Sequence, residues 1–252
     1  MARIFVAVAA GAVLWAAAAG STAAHGQATN ARNRALPHYR AGFEHMRAEA
    51  WPEATKAFGE AIDIDPEFEI AYYGLGRSLM PQKKFGDATA AYVKCRDLYI
   101  AQSGRRFTNQ HEAQRYRQDQ MTELDEVIRS YQQGRQTMQT AQVLRNLQER
   151  RLQLQLHLER GANVSIDATV PAFVSLALGS AYFRLGQLAD AEREYKAAIA
   201  ADPKTGEAYS NLAVVYLQTG RHQEAEKAVK AAEKTGFKVN PMLKEDIAAK
   251  KK

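Results

Sequence analysis

Four stretches of the chain repeat one arrangement of small and bulky apolar positions with a period of 34 residues. From Ala172, the offsets hold Leu178, Gly179, Tyr182, Ala191, Tyr195, Ala198 and a closing Pro203. From Gly206 they hold Leu212, Ala213, Tyr216, Ala225 and Ala232; from Ala35, Gly42, Ala54, Phe58, Ala61 and Pro66; from Glu69, Leu75, Gly76, Ala88, Tyr92 and Cys95. A period of this length marks stacked supersecondary units, none of which can bury its apolar face alone. Each unit predicts two antiparallel helices. Gly42, Gly76, Gly179 and Ala213 fall opposite Ala54, Ala88, Ala191 and Ala225, so the backbones can approach closely, while Phe58, Tyr92 and Tyr195 fill the wedge toward the next unit. Asp65-Pro66 and Asp202-Pro203 end second helices, since Pro lacks a donor and turns the preceding residue away from helix. Ile100 replaces Pro in the second copy, whose last helix is expected to run on. The fourth copy has Val229 at the aromatic position and Phe237 in place of Pro, and Asn240-Pro241 then opens a short capping helix with a Lys-rich end.

The pattern breaks between Ile100 and Pro171, a stretch with no proline between those residues and thirteen glutamines from Ala101 to Arg160. Asn109 and Glu112 form a capping box, Met121, Leu124, Ile128 and Tyr131 follow at helical spacing, and Gly134 ends the run. A second helix after Thr137 carries Leu144, Leu147, Leu154 and Leu158 on one seam, interrupted by Arg151, and ends at Gly161. Leu152–Leu158 alternates like a strand, but its Gln-rich flanks and lack of β-branched residues favour helix. The expectation is an antiparallel hairpin over 108–160 in the place of a third, overgrown repeat; the alternative is a helical linker between two separate repeat pairs. Arg105, Arg106, Arg115 and Arg117 on its polar opening suit either an acidic surface or a solvated face.

The repeated positions resemble the tetratricopeptide repeat, a helix-turn-helix unit. The resemblance implies an all-α repeat solenoid with a long central helical hairpin and a C-terminal capping helix. Its divisions would be an N-terminal repeat pair over 34–102, the hairpin over 103–161, a loop over 162–170, a C-terminal pair over 171–238, and the capping helix and tail over 239–252. His38, Ala41 and His45 depart from the family's large apolar residues, which marks the first copy as a divergent cap. In this family the first helices of successive units line a concave groove. Carried over by position, the lining is Tyr39, Phe43, Met46, Tyr73, Arg77 and Met80, then Phe173, Leu176, Ser180, Phe183, Arg184, Ser210, Asn211, Val214 and Leu217. Such a lining suits an apolar helix or extended peptide, with Arg77 and Arg184 orienting acidic groups. A variant of the family holds C-terminal carboxylates with paired Lys and Asn residues; Asn211 matches it, but Leu176 and Ser180 depart from it, which argues against that mode. The groove is either open to a peptide or filled from within by the central hairpin or the 164–170 loop.

Composition adds a destination. Residues 1–24 combine Arg3, an apolar run from Ile4 to Ala19 and small residues through Ala24, the layout of a secretory signal peptide cleaved near Ala24. The run is short and Ala-rich for a span, and no Cys follows it for lipid attachment. Cleavage implies a periplasmic or secreted protein with no stable membrane span, and failure to cleave implies an anchored one; residues 25–33 read as a flexible lead-in. Of 252 residues, 46% are hydrophobic, enough for a core, and one Cys precludes an internal disulfide. The formal charge of +6 falls to +5 without Arg3 and is spread along the chain, which argues against nucleic acid as a partner.

Catalytic chemistry has no clear carrier. Gly74-Leu75-Gly76 lacks the third glycine of a dinucleotide loop, and His38, His45, His111, His157 and His222 have no metal-ligand spacing. Cys95 sits at a small, packed position, and the sequon Asn163-Val164-Ser165 matters only in a eukaryotic secretory pathway. No catalytic residue, cofactor or metal is expected. The leading expectation is a non-enzymatic interaction scaffold in the cell envelope that binds another protein; an oligomeric envelope protein pairing through its helical faces is the alternative, and an enzyme with an unrecognised site the least favoured.

Overall fold

The computed structural model describes residues 14–103 and 170–249, with side chains from Ala31 onward, and individual residues between 114 and 156. Among the described residues the fold is a stack of helix pairs: α1 (Leu14–Arg47) with α2 (Trp51–Ile64), α3 (Glu69–Leu79) with α4 (Phe85–Ser103), α5 (Ala172–Arg184) with α6 (Leu188–Ala201), and α7 (Gly206–Gln218) with α8 (His222–Lys234). A final helix, α9 (Pro241–Ala249), packs on α8 through buried Leu243 and Ile247, and the Asn240 side chain accepts the Met242 N–H at 3.0 Å to cap its start. All-α repeat architecture is therefore what the 34-residue period encodes.

The turn inside every pair is built alike. Glu49, Lys83, Gly186 and Gly220 recur at the same offset in their repeats, and all have left-handed backbones, with φ of 56°, 59°, 74° and 75°. The residue after each donates to a carbonyl near the end of the first helix, as in Gln187 to Tyr182 at 3.0 Å and Arg221 to Tyr216 at 2.8 Å. This closure satisfies carbonyls the helix would otherwise leave open. At the other end of the units, Asp65 and Asp202 take extended backbones after α2 and α6, and their carboxylates accept the Glu67 and Lys204 N–H groups at 3.0 and 2.9 Å. α4, without that Asp-Pro, runs on to Ser103.

The small first-helix positions serve a partner other than the expected alanines. A Cβ at Gly42 would lie 2.7 Å from the Phe58 ring, one at Gly76 2.5 Å from Tyr92, and one at Gly179 2.7 Å from Tyr195. Each glycine thus makes room for the aromatic ring of its own unit's second helix. Phe58 also presses on Gly74 of the next unit, so the ring fills the wedge between units as well. Cys95 is wholly buried in the same core.

Two expectations change. The central segment does not take the place of a third repeat, nor does it separate two pairs: α4 packs directly on α5, as α2 does on α3 and α6 on α7. The Tyr73 and Phe173 rings meet at 4.8 Å across this junction, and Arg96 Nη1 lies 2.9 Å from Glu194 Oε1. The four units are contiguous in space, with the central segment inserted between the second and third. Ala31, Arg32 and Asn33, expected in a loose lead-in, lie within α1, which runs through Pro37. Arg32 is held there by Asp65 at 2.5 Å, Glu69 at 3.1 Å and the Phe68 ring at 4.2 Å.

Candidate functional site

The positions expected to line a groove fall on or at the ends of the first helices α1, α3, α5 and α7, and their burial differs between the two halves. In the N-terminal half, Tyr39, Phe43 and Tyr73 are buried core residues. Tyr39 meets the Phe43 ring edge-on and the Phe68 ring at a tilt, with centroids 5.0 and 4.9 Å away, and Phe43 meets Phe58 edge-on at 5.2 Å. Met46, Met80 and Phe173 are half-buried against the same cluster, and Arg77 lies over the Tyr73 ring at 5.8 Å.

The central segment contributes to this cluster. Its described residues are helical, and Leu124, Ile128 and Leu147 are buried in the cluster that holds Tyr39, Phe43 and Tyr73, with Leu144 and Leu154 packed at its edge. Arg151, which breaks the leucine seam, forms an ion pair with Asp125 from the other apolar run, with a second contact at 3.4 Å. Glu44 on α1 has its carboxyl held below the usual range, first by the Arg47 side chain and further by the charges of Arg47 and Arg129. Arg129 belongs to the central segment. Tyr131, Gly134, Leu158, Arg105, Arg106 and Arg115 lie outside the described residues, as do 164–169 of the loop.

The C-terminal half keeps an accessible face. Leu176, Phe183, Val214 and Leu217 are half-buried, each resting on the second core cluster with part of its surface toward solvent. Ser210 and Asn211 are half-buried between them in sequence, and Arg184 is exposed with its guanidinium 6.0 Å from the Phe85 ring centre. Ser180 donates to the Leu176 carbonyl at 2.9 Å, and the Tyr195 hydroxyl reaches the Ser180 oxygen at 3.4 Å. Burial pushes the Tyr195 phenol up to about 12, with the nearby charge of Glu207 acting in the same direction and Ser180 and Arg184 against it.

Glu207 was not among the expected lining residues, although the period locates it. It occupies the register of Leu36, Ile70 and Phe173, all apolar and packed on the first cluster, and is the acidic member of that column. Burial raises its carboxyl above the usual range. On the outer side, Arg221 joins Glu192 at 2.7 Å and Glu224, and covers the Tyr216 ring at 4.2 Å, tying α6 to the start of α8.

Comparison with known proteins bears on the repeat. The sequence signature described as "Tetratricopeptide repeat" matches residues 176–236. No curated protein matches the chain in sequence. Among solved structures, the chain is similar to PilW, described as a widely conserved type IV pilus biogenesis factor, with 16% identity over 86% of this chain and 85% of that one and a TM-score of 0.40. It is also similar to TTC0263, a thermophilic TPR protein of Thermus thermophilus, with 23% identity, 86% and 98% coverage and a TM-score of 0.32. YrrB, a TPR protein with an unusual peptide-binding site, follows with 16% identity, 86% and 92% coverage and a TM-score of 0.29. At these overall similarities the assignment rests on the matched segment and on the helix pairing. The family's signature marks residues 176–236 as a tetratricopeptide-repeat segment, and the same helix pairing, turn and ring-on-glycine packing recur in the N-terminal units.

Proposed function

We propose that this protein is an exported, non-catalytic interaction module of the cell envelope that holds a peptide or helix of another protein in the C-terminal half of its concave face. The observation that carries this reading is the contrast between the halves. Tyr39, Phe43 and Tyr73 are buried together with side chains of the central segment, whereas Leu176, Phe183, Val214 and Leu217 retain solvent-facing apolar surface. Apolar surface on first helices of such repeats is suited to a peptide or helix that buries its own apolar side chains there. The N-terminal layout of residues 1–24 supports export and cleavage. Among the described residues no helix is long and apolar enough to cross a membrane.

The test places a photo-crosslinking side chain at Leu217, and separately at Tyr39, in the protein expressed with its native N-terminus. Adducts with a second protein from position 217, much weaker from position 39, support the groove. Equal adducts from both, or none from 217, overturn it. Fractionation and the N-terminal sequence of the recovered protein test export: a chain beginning near His25 in the periplasm or medium supports it, and full-length protein in the cytosol refutes it.

A further inference from the structure

The two cations expected on the groove are held differently. Arg77 is half-buried and lies over the ring of Tyr73, a core residue. Arg184 is exposed at the last position of α5, where it is the helix's only charged side chain. Among the described residues its side chain makes no ion pair and no hydrogen bond. Its guanidinium is 6.0 Å from the centre of the Phe85 ring, on the preceding unit. An aromatic face steers a cation without neutralising it, so the charge and the donors of Arg184 stay available to a ligand.

Two more cations stand at the same edge. Lys83 and Lys84 immediately precede Phe85, so their Cα atoms lie at most about 8 and 4 Å from that of Phe85. Both are exposed, and among the described residues neither makes an ion pair. Their turn is set by the left-handed Lys83 backbone, φ 59°, and by the Lys84 N–H, which donates to the Leu79 carbonyl at 3.3 Å. Asp87, two residues beyond Phe85 and exposed, offsets one of the three charges and leaves the edge positive. The apolar stripe leads to this edge. Leu176 and Phe183 are seven residues and about 10 Å apart along α5. Leu217 holds the register of Phe183 on α7, and Leu185, directly after Arg184, is 42% exposed. Glu207, the one charge on α7, is in its first turn, at the far end of the helices.

We propose that Lys83, Lys84 and Arg184 form a cationic edge that receives Asp or Glu side chains at one end of an apolar peptide segment lying along Leu176, Phe183 and Leu217. This deepens the peptide-binding reading above and rests on it. The apolar side chains of the ligand supply burial, and its carboxylates, one or two residues beyond the last of them, meet the uncommitted cations. Charge also fixes how the ligand lies: its acidic end is drawn to the turn edge and repelled from the end that carries Glu207. Selectivity follows, since a ligand ending in Lys would bring like charges together at the edge, and one ending in Asn or Gln would lose the attraction.

The test uses an array of synthetic peptides with blocked termini, probed with the full chain. Each peptide carries Leu, Ile or Phe at alternate positions and ends in Asp-Glu, in Asn-Gln or in Lys-Lys; blocking removes every other carboxylate. Wild type should prefer the Asp-Glu series to the Asn-Gln series by about five-fold at low salt, with the preference shrinking at high salt. It should bind the Lys-Lys series least. Arg184→Gln combined with Lys84→Gln should bind the Asn-Gln series as wild type does and lose the preference for acid. Arg184→Glu combined with Lys84→Glu should favour the Lys-Lys series, and Leu217→Asp should weaken all three. Equal binding of the three series by wild type, or an acid preference untouched in the double Gln variant, overturns the cationic edge and leaves the peptide groove standing. Binding of no series by wild type overturns both. A wild-type dimer in light scattering that Leu217→Asp dissociates would make a second copy the occupant and overturn the proposal.

Discussion

Arg96 on α4 and Glu194 on α6 form an ion pair at 2.9 Å between residues 98 positions apart, and it bridges the junction where the central segment leaves and re-enters the stack. Glu194 is only 5% exposed at its side chain and Arg96 24%. The carboxylate therefore depends on the arginine, while the arginine retains water and Asp97 at 3.0 Å. Arg193 approaches Glu194 at 3.8 Å but is mostly exposed, and a long exposed contact of that kind contributes little.

The asymmetry sets the order of two substitutions. Arg96→Ala leaves a nearly buried carboxylate uncompensated and should cost about 2 kcal/mol. Glu194→Gln removes the charge from the buried side, keeps an acceptor for Arg96 and should cost less than about 1 kcal/mol. Urea denaturation of both variants measures the difference. A larger loss for Glu194→Gln would mean that the pair does not carry the junction.

The four left-handed turn residues give a prediction with opposite signs in the two halves. Non-glycine residues are disfavoured by roughly 1 kcal/mol in this region, a strain present at Glu49 and Lys83 and absent at Gly186 and Gly220. Lys83→Gly should raise stability by roughly 0.5 kcal/mol or more, and Gly186→Ala should lower it by about 1 kcal/mol. Within helices the space decides instead. Gly59 has nothing within 4 Å of an added Cβ, so Gly59→Ala should stabilise by about 0.5–1 kcal/mol. Gly179→Ala drives a methyl into Tyr195 and should cost about 1–3 kcal/mol despite the same propensity gain. Thermal unfolding of the four variants tests all signs together; a stabilising Gly179→Ala would show that the ring has room to yield.

Much of this was legible because it lies in the period. Ring positions, Asp-Pro helix ends, the long α4 and the capping helix all follow from residue type at fixed offsets. Three things were not. The placement of the central segment depends on what the outer faces of α4 and α5 do, and chain order suggested that the next element in sequence was the next in space. Packing decided otherwise, because Phe173 and Glu194 complete the face that Tyr73 and Arg96 present. Burial of the N-terminal lining was equally hidden, since Tyr39, Phe43 and Tyr73 are apolar whether they face a ligand or the segment carrying Leu124, Ile128 and Leu147. Glu207 could have been found by reading down its register column, where a carboxylate follows three apolar residues.

The insertion predicts its own deletion phenotype. Replacing 104–169 by a short Gly/Ser linker should leave α4 packed on α5, since Tyr73–Phe173 and Arg96–Glu194 do not involve it. It removes buried Leu124, Ile128 and Leu147, each contributing roughly 1.5–3 kcal/mol of burial, and bares the apolar lining around Tyr39, Phe43 and Tyr73. The shortened protein should remain helical and cooperative but bind a hydrophobic dye more strongly than the full chain. Equal dye binding by the two would mean that the central segment does not cover this lining.

Tyr195 makes stability depend on pH in the alkaline range. Burial, with Glu207 nearby, raises its phenol in the folded protein to about 12 from the ordinary 10.0. Folding therefore favours the protonated form, so this contribution is intact below pH 10 and is lost as pH rises through about 12. Between those values the wild-type stability should fall by up to about 1.4 kcal/mol per pH unit from this group alone. Tyr195→Phe removes the ionisation while keeping the ring against Gly179. Since the hydroxyl contact to Ser180 is a long 3.4 Å, the substitution should cost under about 1 kcal/mol at neutral pH. Above pH 10 the order should reverse, with the variant less sensitive to alkali than the wild type. Denaturant titrations across that range, paired with phenolate absorbance, measure both curves; parallel curves would mean that the Tyr195 phenol ionises as readily in the folded protein as in the unfolded chain.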